Sequence, residues 1–124
     1  MKHVTVYWQE LDGDLLAVTD GSSIWIDPRQ TQAERRCTIA HELAHIELGH
    51  VGGCSPKEEH QANLLAARWL IKVEHLADAL AWTQDPHELA WELWVDLDTL
   101  HTRLENLTHA ERRHIKHRLR KVDP

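Results

Sequence analysis

The chain has 124 residues, 42% of them apolar, with 14 Lys+Arg against 20 Asp+Glu and a formal net charge of −6. That length suits one domain, which buries roughly two thirds of the surface its unfolded chain exposes and needs no staple to fold. No run approaches the roughly 20 apolar residues of a membrane span, the opening Met-Lys-His-Val-Thr-Val-Tyr-Trp lacks the apolar stretch of a secretion signal, and two cysteines, Cys37 and Cys54, make no disulfide framework, so a cytoplasmic protein is expected.

The first third reads as strands. Val4–Trp8 alternates, Leu15–Val18 follows, and Ser23–Ile26 comes after an Asp20-Gly21 hairpin signal. Asp27-Pro28 ends the third strand. Thr31 with Glu34 is a capping box that opens a helix running to about His50, where Gly49, Gly52 and Gly53 stop it. Ser55-Pro56-Lys57-Glu58 repeats that signature, and the helix it opens carries Ala62, Leu65, Ala66, Trp69 and Leu70 on one face. Further helices are expected over Val73–Trp82, from Asp85-Pro86, from Asp98 and from Thr108. The fold class is α+β: a single domain over 1–124, with a small antiparallel sheet of about three strands in 1–28, a central helix over 31–50, a helical body over 56–108 and a basic C-terminal helix over 109–124.

The central helix contains His41-Glu42-Leu43-Ala44-His45. Residues four apart on a helix share a face, so both imidazoles reach toward one ion. Glu42 sits about 100° round from His41, where a carboxylate can reach a water on the ion without being a ligand. This is the HExxH arrangement, two nitrogen ligands and a glutamate acting as general base. Ile39, Ala40, Leu43, Ala44, Ile46 and Leu48 make much of the helix apolar, and polar side chains in such surroundings need partners.

Zinc catalysis wants a third protein ligand and one open position. His50 is a poor choice: on a helix continued to residue 50 it points roughly 180° from His41, and it reads as a polar residue near the helix C-terminus. Glu47 reads as another bystander. Glu58 and Glu59 both fall near the apolar face of the next helix, and periodicity does not choose between them, whereas His60 points away.

The segment Cys37-Thr38-Ile39-Ala40-His41-Glu42-Leu43-Ala44-His45, followed by Glu59-His60-Gln61-Ala62-Asn63-Leu64-Leu65-Ala66-Ala67, resembles the ImmA/IrrE metallopeptidase family over roughly residues 20–105. That resemblance implies a gluzincin-like zinc endopeptidase with Zn2+ on His41, His45 and Glu59, Glu42 as the catalytic base, and Asn63 orienting a ligand histidine. It further implies a cytoplasmic protein substrate, a helix-turn-helix repressor of a phage or mobile element. The family often has Pro after this second helix, where the present chain has Lys72, and larger relatives carry extra domains. For the oxyanion, Tyr7, His75 and His87 are unranked candidates. The substrate is expected to pair with a sheet edge, for which Ser23–Ile26 is the candidate strand.

Residues 87–107 have helix-turn-helix spacing, with Ala90, Val95, Leu100 and Leu104 as its core and Asp98–Asn106 as the recognition helix. The acidic charge of Asp96, Asp98 and Glu105 argues against phosphate contacts, so a packing or docking role is favoured over nucleic-acid binding. Residues 1–108 carry 8 Lys+Arg against 18 Asp+Glu, whereas 109–124 carry 6 against 2. That basic tail reads as a solvated helix with cations toward its C-terminus, because few apolar positions are available to dock it. The alternative to an enzyme is a non-catalytic regulatory module that keeps a metal and contacts a repressor or DNA.

Overall fold

The structure, a computed structural model, describes residues 4–50 and 55–122. Three strands, β1 (Thr5–Trp8), β2 (Ala17–Thr19) and β3 (Ser23–Ile26), precede six helices: α1 (Gln32–Glu47), α2 (Pro56–Leu70), α3 (Val73–Trp82), α4 (Pro86–Leu93), α5 (Leu97–Glu105) and α6 (His109–Val122). The α+β class is therefore as expected. Among the described residues no helix is long and apolar enough to cross a membrane. The chain divides into two compact units, residues 1–66 and 67–124.

In the first unit the sheet order is β1-β3-β2. β2 and β3 form the expected hairpin, with Val18 opposite Trp25. Gly21 takes φ +95° at its turn, and the Asp20 carboxylate accepts from the backbone N–H groups of Ser22 and Ser23, which hold it below the usual carboxylate range. β1, however, pairs parallel to β3, with Val6 opposite Ile24 and Tyr7 opposite Trp25. The sheet is thus mixed and not purely antiparallel. The reason is burial: Ile24 and Ile26 are fully inaccessible, so β3 takes the centre, and the segment after β1 carries the chain across to the far edge before the hairpin returns. Period-two alternation puts Val6, Ile24 and Ile26 on the face that packs with Ile39, Leu43 and Ile46 of α1. Tyr7 and Trp25 stack on the opposite face, centroids 5.6 Å apart.

Asp27 locks the crossing segment down. Its buried carboxylate accepts from the N–H groups of Leu11 and Arg29 and from the Arg29 guanidinium, and the Arg29 bonds chiefly hold it far below the ordinary carboxylate range. Gln30 adds bonds from its amide to the carbonyls of Leu16 and Asp27, and accepts from Thr38 of α1 at 2.6 Å. The approach to β2 is thereby fixed to the start of α1.

In the second unit α3 packs along α6 and α4 contacts α3 and α5. Trp94 closes α4 with φ +57°, and the Val95 N–H returns to the Ala90 carbonyl at 3.0 Å; Ala90, Val95 and Leu100 of the expected core are buried, whereas Leu104 is only partly so. Asp96, not Asp98, caps α5 by accepting from the Thr99 N–H. The basic helix is not the loosely solvated one expected: it docks along α3, buries Ile115, and Arg118 donates to Asp78 at 3.0 Å. Its firmest tie is Glu111, which caps α6 through Thr108 and pairs bidentately with Arg103 of α5. Arg103 is 3% exposed and also donates to the Ile71 carbonyl at 2.8 Å.

The Arg103 bonds hold the Glu111 carboxyl down at about 2, against an ordinary 4.5. Stability from this pair is fully present above the ordinary value and is lost as pH falls toward 2. Glu111→Ala leaves a buried guanidinium short of its counter-charge and is expected to destabilise the fold by about 3 kcal/mol, the lower end for a broken buried ion pair. Urea denaturation at neutral pH checks this, and a midpoint equal to that of the unaltered protein contradicts it.

Candidate metal centre

α1 is anchored at its start by the expected capping box, with the Glu34 N–H on the Thr31 hydroxyl and the Thr31 N–H on the Glu34 carboxylate. From there the helix runs unbroken through His41, Glu42 and His45. α2 is anchored in the same way by Ser55 and Glu58, which sets the rotation of its first turn.

That rotation separates two adjacent glutamates. Glu59 faces the histidine pair: its Oε2 lies 3.1 Å from His41 Nε2 and its Oε1 lies 3.2 Å from His45 Nε2. The two Nε2 atoms are 3.1 Å apart. Glu58 turns instead to His50. Of the two glutamates that periodicity does not separate, Glu59 is the one beside both histidines.

The donor set fits a small divalent ion. Ligand bonds of about 2.0–2.2 Å in tetrahedral array place neighbouring donors roughly 3.3 Å apart, close to the observed edges. Two imidazole nitrogens facing each other at this distance can share only one proton, whereas a cation satisfies both lone pairs and the carboxylate at once. Burial favours the neutral, ligating form of His45, whose side chain is 4% exposed and whose pKa is lowered by desolvation and by His41. Glu59 is 47% exposed, so the site is open on its α2 side.

Glu42 completes the constellation. Desolvation pushes its carboxyl above the ordinary range, with Glu59 adding to the rise and His41 opposing it. A carboxylate that takes up a proton readily is what a general base near neutral pH requires. A cleft of about 370 Å³ opens beside these groups, lined by Leu15, Ala17, Val18 and Thr19 on the sheet side and by Glu42, His45, His50 and Glu59 on the helix side. β2 is an edge strand and β3 is central, so the strand along the cleft is β2 and not Ser23–Ile26.

His50 is the residue the sequence reading missed. α1 does not continue to it. The helix ends at Glu47, Leu48 is the cap, and Gly49 takes φ +75°. The His50 N–H bonds the His45 carbonyl at 2.9 Å and the Gly49 N–H bonds the Ile46 carbonyl at 3.1 Å, the paired bonds of a Schellman turn. That turn folds the residue after Gly back over the last helical turn, and so places the His50 ring against His45, Nδ1 to Nδ1 at 3.0 Å. His50 is 8% exposed and lies against His45, where a helix continued to residue 50 would point it away from His41. Gly49 was the available signal: a glycine that ends a helix in this turn brings together residues five apart.

Asn63 is exposed on α2 and makes no hydrogen bond to either histidine; the group at the second ring nitrogen of His45 is His50. Glu47 and His60 are exposed. Tyr7 stacks on the outer sheet face with Trp25, away from the α1 side. His75 and His87 are exposed residues of the second unit. Cys37 is buried in α1, and Cys54 lies outside the described residues.

No curated protein and no solved structure matches the chain. A family model does, Peptidase_M78, the IrrE N-terminal-like domain, over residues 6–105. The match takes in the strands, the histidine helix and the helix that bears Glu59, and the chain belongs to this peptidase family.

Proposed function

We propose that the chain is a zinc-dependent endopeptidase whose metal is held by His41, His45 and Glu59 and whose base is Glu42. The observation that carries this reading is the cluster of donor atoms, two Nε2 atoms 3.1 Å apart that each face one oxygen of the Glu59 carboxylate at 3.1 and 3.2 Å, with Glu42 one residue from the first histidine. Zinc in such a site supplies Lewis-acid activation of a water and of a peptide carbonyl. Glu42 accepts the proton of the attacking water on its carboxylate and returns it to the departing amine. Burial of Glu42, by raising its affinity for that proton, supports both halves of the transfer.

The cleft suits an extended peptide. The free edge of β2 offers backbone donors and acceptors to a strand laid beside it, the mode called β-augmentation. Leu15 and Val18 are about half exposed on that side and offer apolar contact to alternate side chains. A chain must be locally unfolded to lie there, which favours cleavage in a linker or a loosened helix end of the substrate. We take that substrate to be a helix-turn-helix repressor of a phage or mobile element, met in the cytoplasm, as the family resemblance implies. Direct DNA binding by α4 and α5 is disfavoured by chemistry: Arg103, the sole arginine of α5, points inward to Glu111 and Ile71.

The test is to incubate the purified chain with the repressor encoded beside it and to read products by mass spectrometry. Defined fragments that disappear on adding a chelator and return with Zn2+ are expected. Chelator-sensitive binding with no fragments would replace this reading with a metal-containing regulatory module.

A further inference from the structure

The contact between His45 and His50 has a consequence for the metal site. Two Nδ1 atoms 3.0 Å apart hold one proton between them. If His45 carries it, the His45 Nε2 lone pair is free to face Glu59 and His41. If His50 carries it, a neutral His45 must be protonated at Nε2, the atom that lies 3.1 Å from His41 Nε2 and 3.2 Å from Glu59. The first arrangement leaves a ligand and the second blocks one.

Glu58 selects between them. When His50 accepts at Nδ1, its own proton sits on Nε2, and Glu58 Oε2 lies 3.8 Å from that atom. At this distance the attraction is electrostatic, without a direct hydrogen bond. Glu58 is held in place by its other oxygen, which accepts the Ser55 N–H at 3.0 Å. His50 is held by its backbone in the Schellman turn.

We propose that His50 is a positioning residue for the metal site, accepting the Nδ1 proton of His45 and so fixing the ring orientation and tautomer that present Nε2, with Glu58 setting His50 in turn. This rests on the metallopeptidase reading above. A carboxylate usually contacts a ligating histidine directly; here the chain runs carboxylate, histidine, histidine, so that Glu59 faces the Nε2 of His45 directly and Glu58 reaches its Nδ1 only through His50.

The experiment uses the full chain, with Zn2+ affinity read by competition against a chromophoric chelator and the His45 tautomer read by 15N NMR of the metal-free protein. His50→Ala is expected to weaken Zn2+ binding by about 10–100-fold and to shift His45 toward a mixture of tautomers. His50→Asn, whose amide oxygen can accept the same proton, is expected to recover much of that loss. Glu58→Gln keeps the helix cap and is expected to show a smaller loss. Wild-type affinity in His50→Ala, or a His45 protonated at Nε2 in the unaltered protein, overturns the proposal. If His50→Ala does not fold, His50→Asn and the wild-type NMR spectrum decide. Should the unaltered chain bind no metal, the peptidase reading fails by itself, while the tautomer still reports whether His50 positions His45.

Discussion

Glu42→Gln is expected to lower peptide-bond cleavage by roughly 10²–10⁴-fold, the usual contribution of a positioned general base, while Zn2+ affinity stays within about a factor of three of the parent. The substitution is nearly isosteric and removes only the ability to accept a proton. Glu42 is in α1 with both histidines but outside the donor cluster, so losing its charge removes no ligand. Its surroundings are desolvated, and a neutral amide there is tolerated better than the carboxylate it replaces. Thermal melting should therefore match or slightly exceed that of the parent. Single-turnover assays on the fragment-yielding substrate check the rate. Cleavage that survives the substitution contradicts the role of Glu42, whatever the metal content.

The second large effect concerns the two adjacent glutamates. Glu59→Ala is expected to weaken Zn2+ binding by more than about 100-fold, since losing a ligand costs more than losing an outer partner. The stability of the apo fold should change little, because the Glu59 side chain is half exposed. Glu58→Ala is expected to lower affinity by about 10-fold, through His50, and to cost roughly 1 kcal/mol in the α2 capping box. Reversed magnitudes would mean that the rotation of α2 brings Glu58 and not Glu59 to the metal. Isothermal titration with Zn2+ on both variants separates the two outcomes.

Much of this organisation was legible in the sequence because it depends on local chemistry. The capping boxes at Thr31, Ser55 and Thr108 show in the order of residues and appear where expected. The spacing of His41 and His45 needs only the helical period. The boundaries of α3 and the Asp85 start of α4 follow equally local signals. What escaped depends on closure between segments. The parallel pairing of β1 with β3 leaves no mark in either strand, because register and direction are set by which strand is buried on both flanks. The docking of α6 on α3 is hidden by its many cations, although the stems of long basic side chains readily cover an apolar neighbour. His50 escaped because the helix was extended three residues too far, past its end at Glu47. A helical wheel carried past Gly49 throws its ring to the opposite side, and the Schellman turn brings it back.

The claim on which the rest depends is that one divalent ion sits among His41, His45 and Glu59. A crystal of the protein grown with Zn2+, measured on both sides of the zinc absorption edge, tests it most directly. The expected result is a single anomalous peak within about 2.0–2.2 Å of His41 Nε2, His45 Nε2 and a Glu59 oxygen, with Glu42 facing the open side. A peak on His50 and Glu58, or no peak at the His41–His45 pair, would contradict the account.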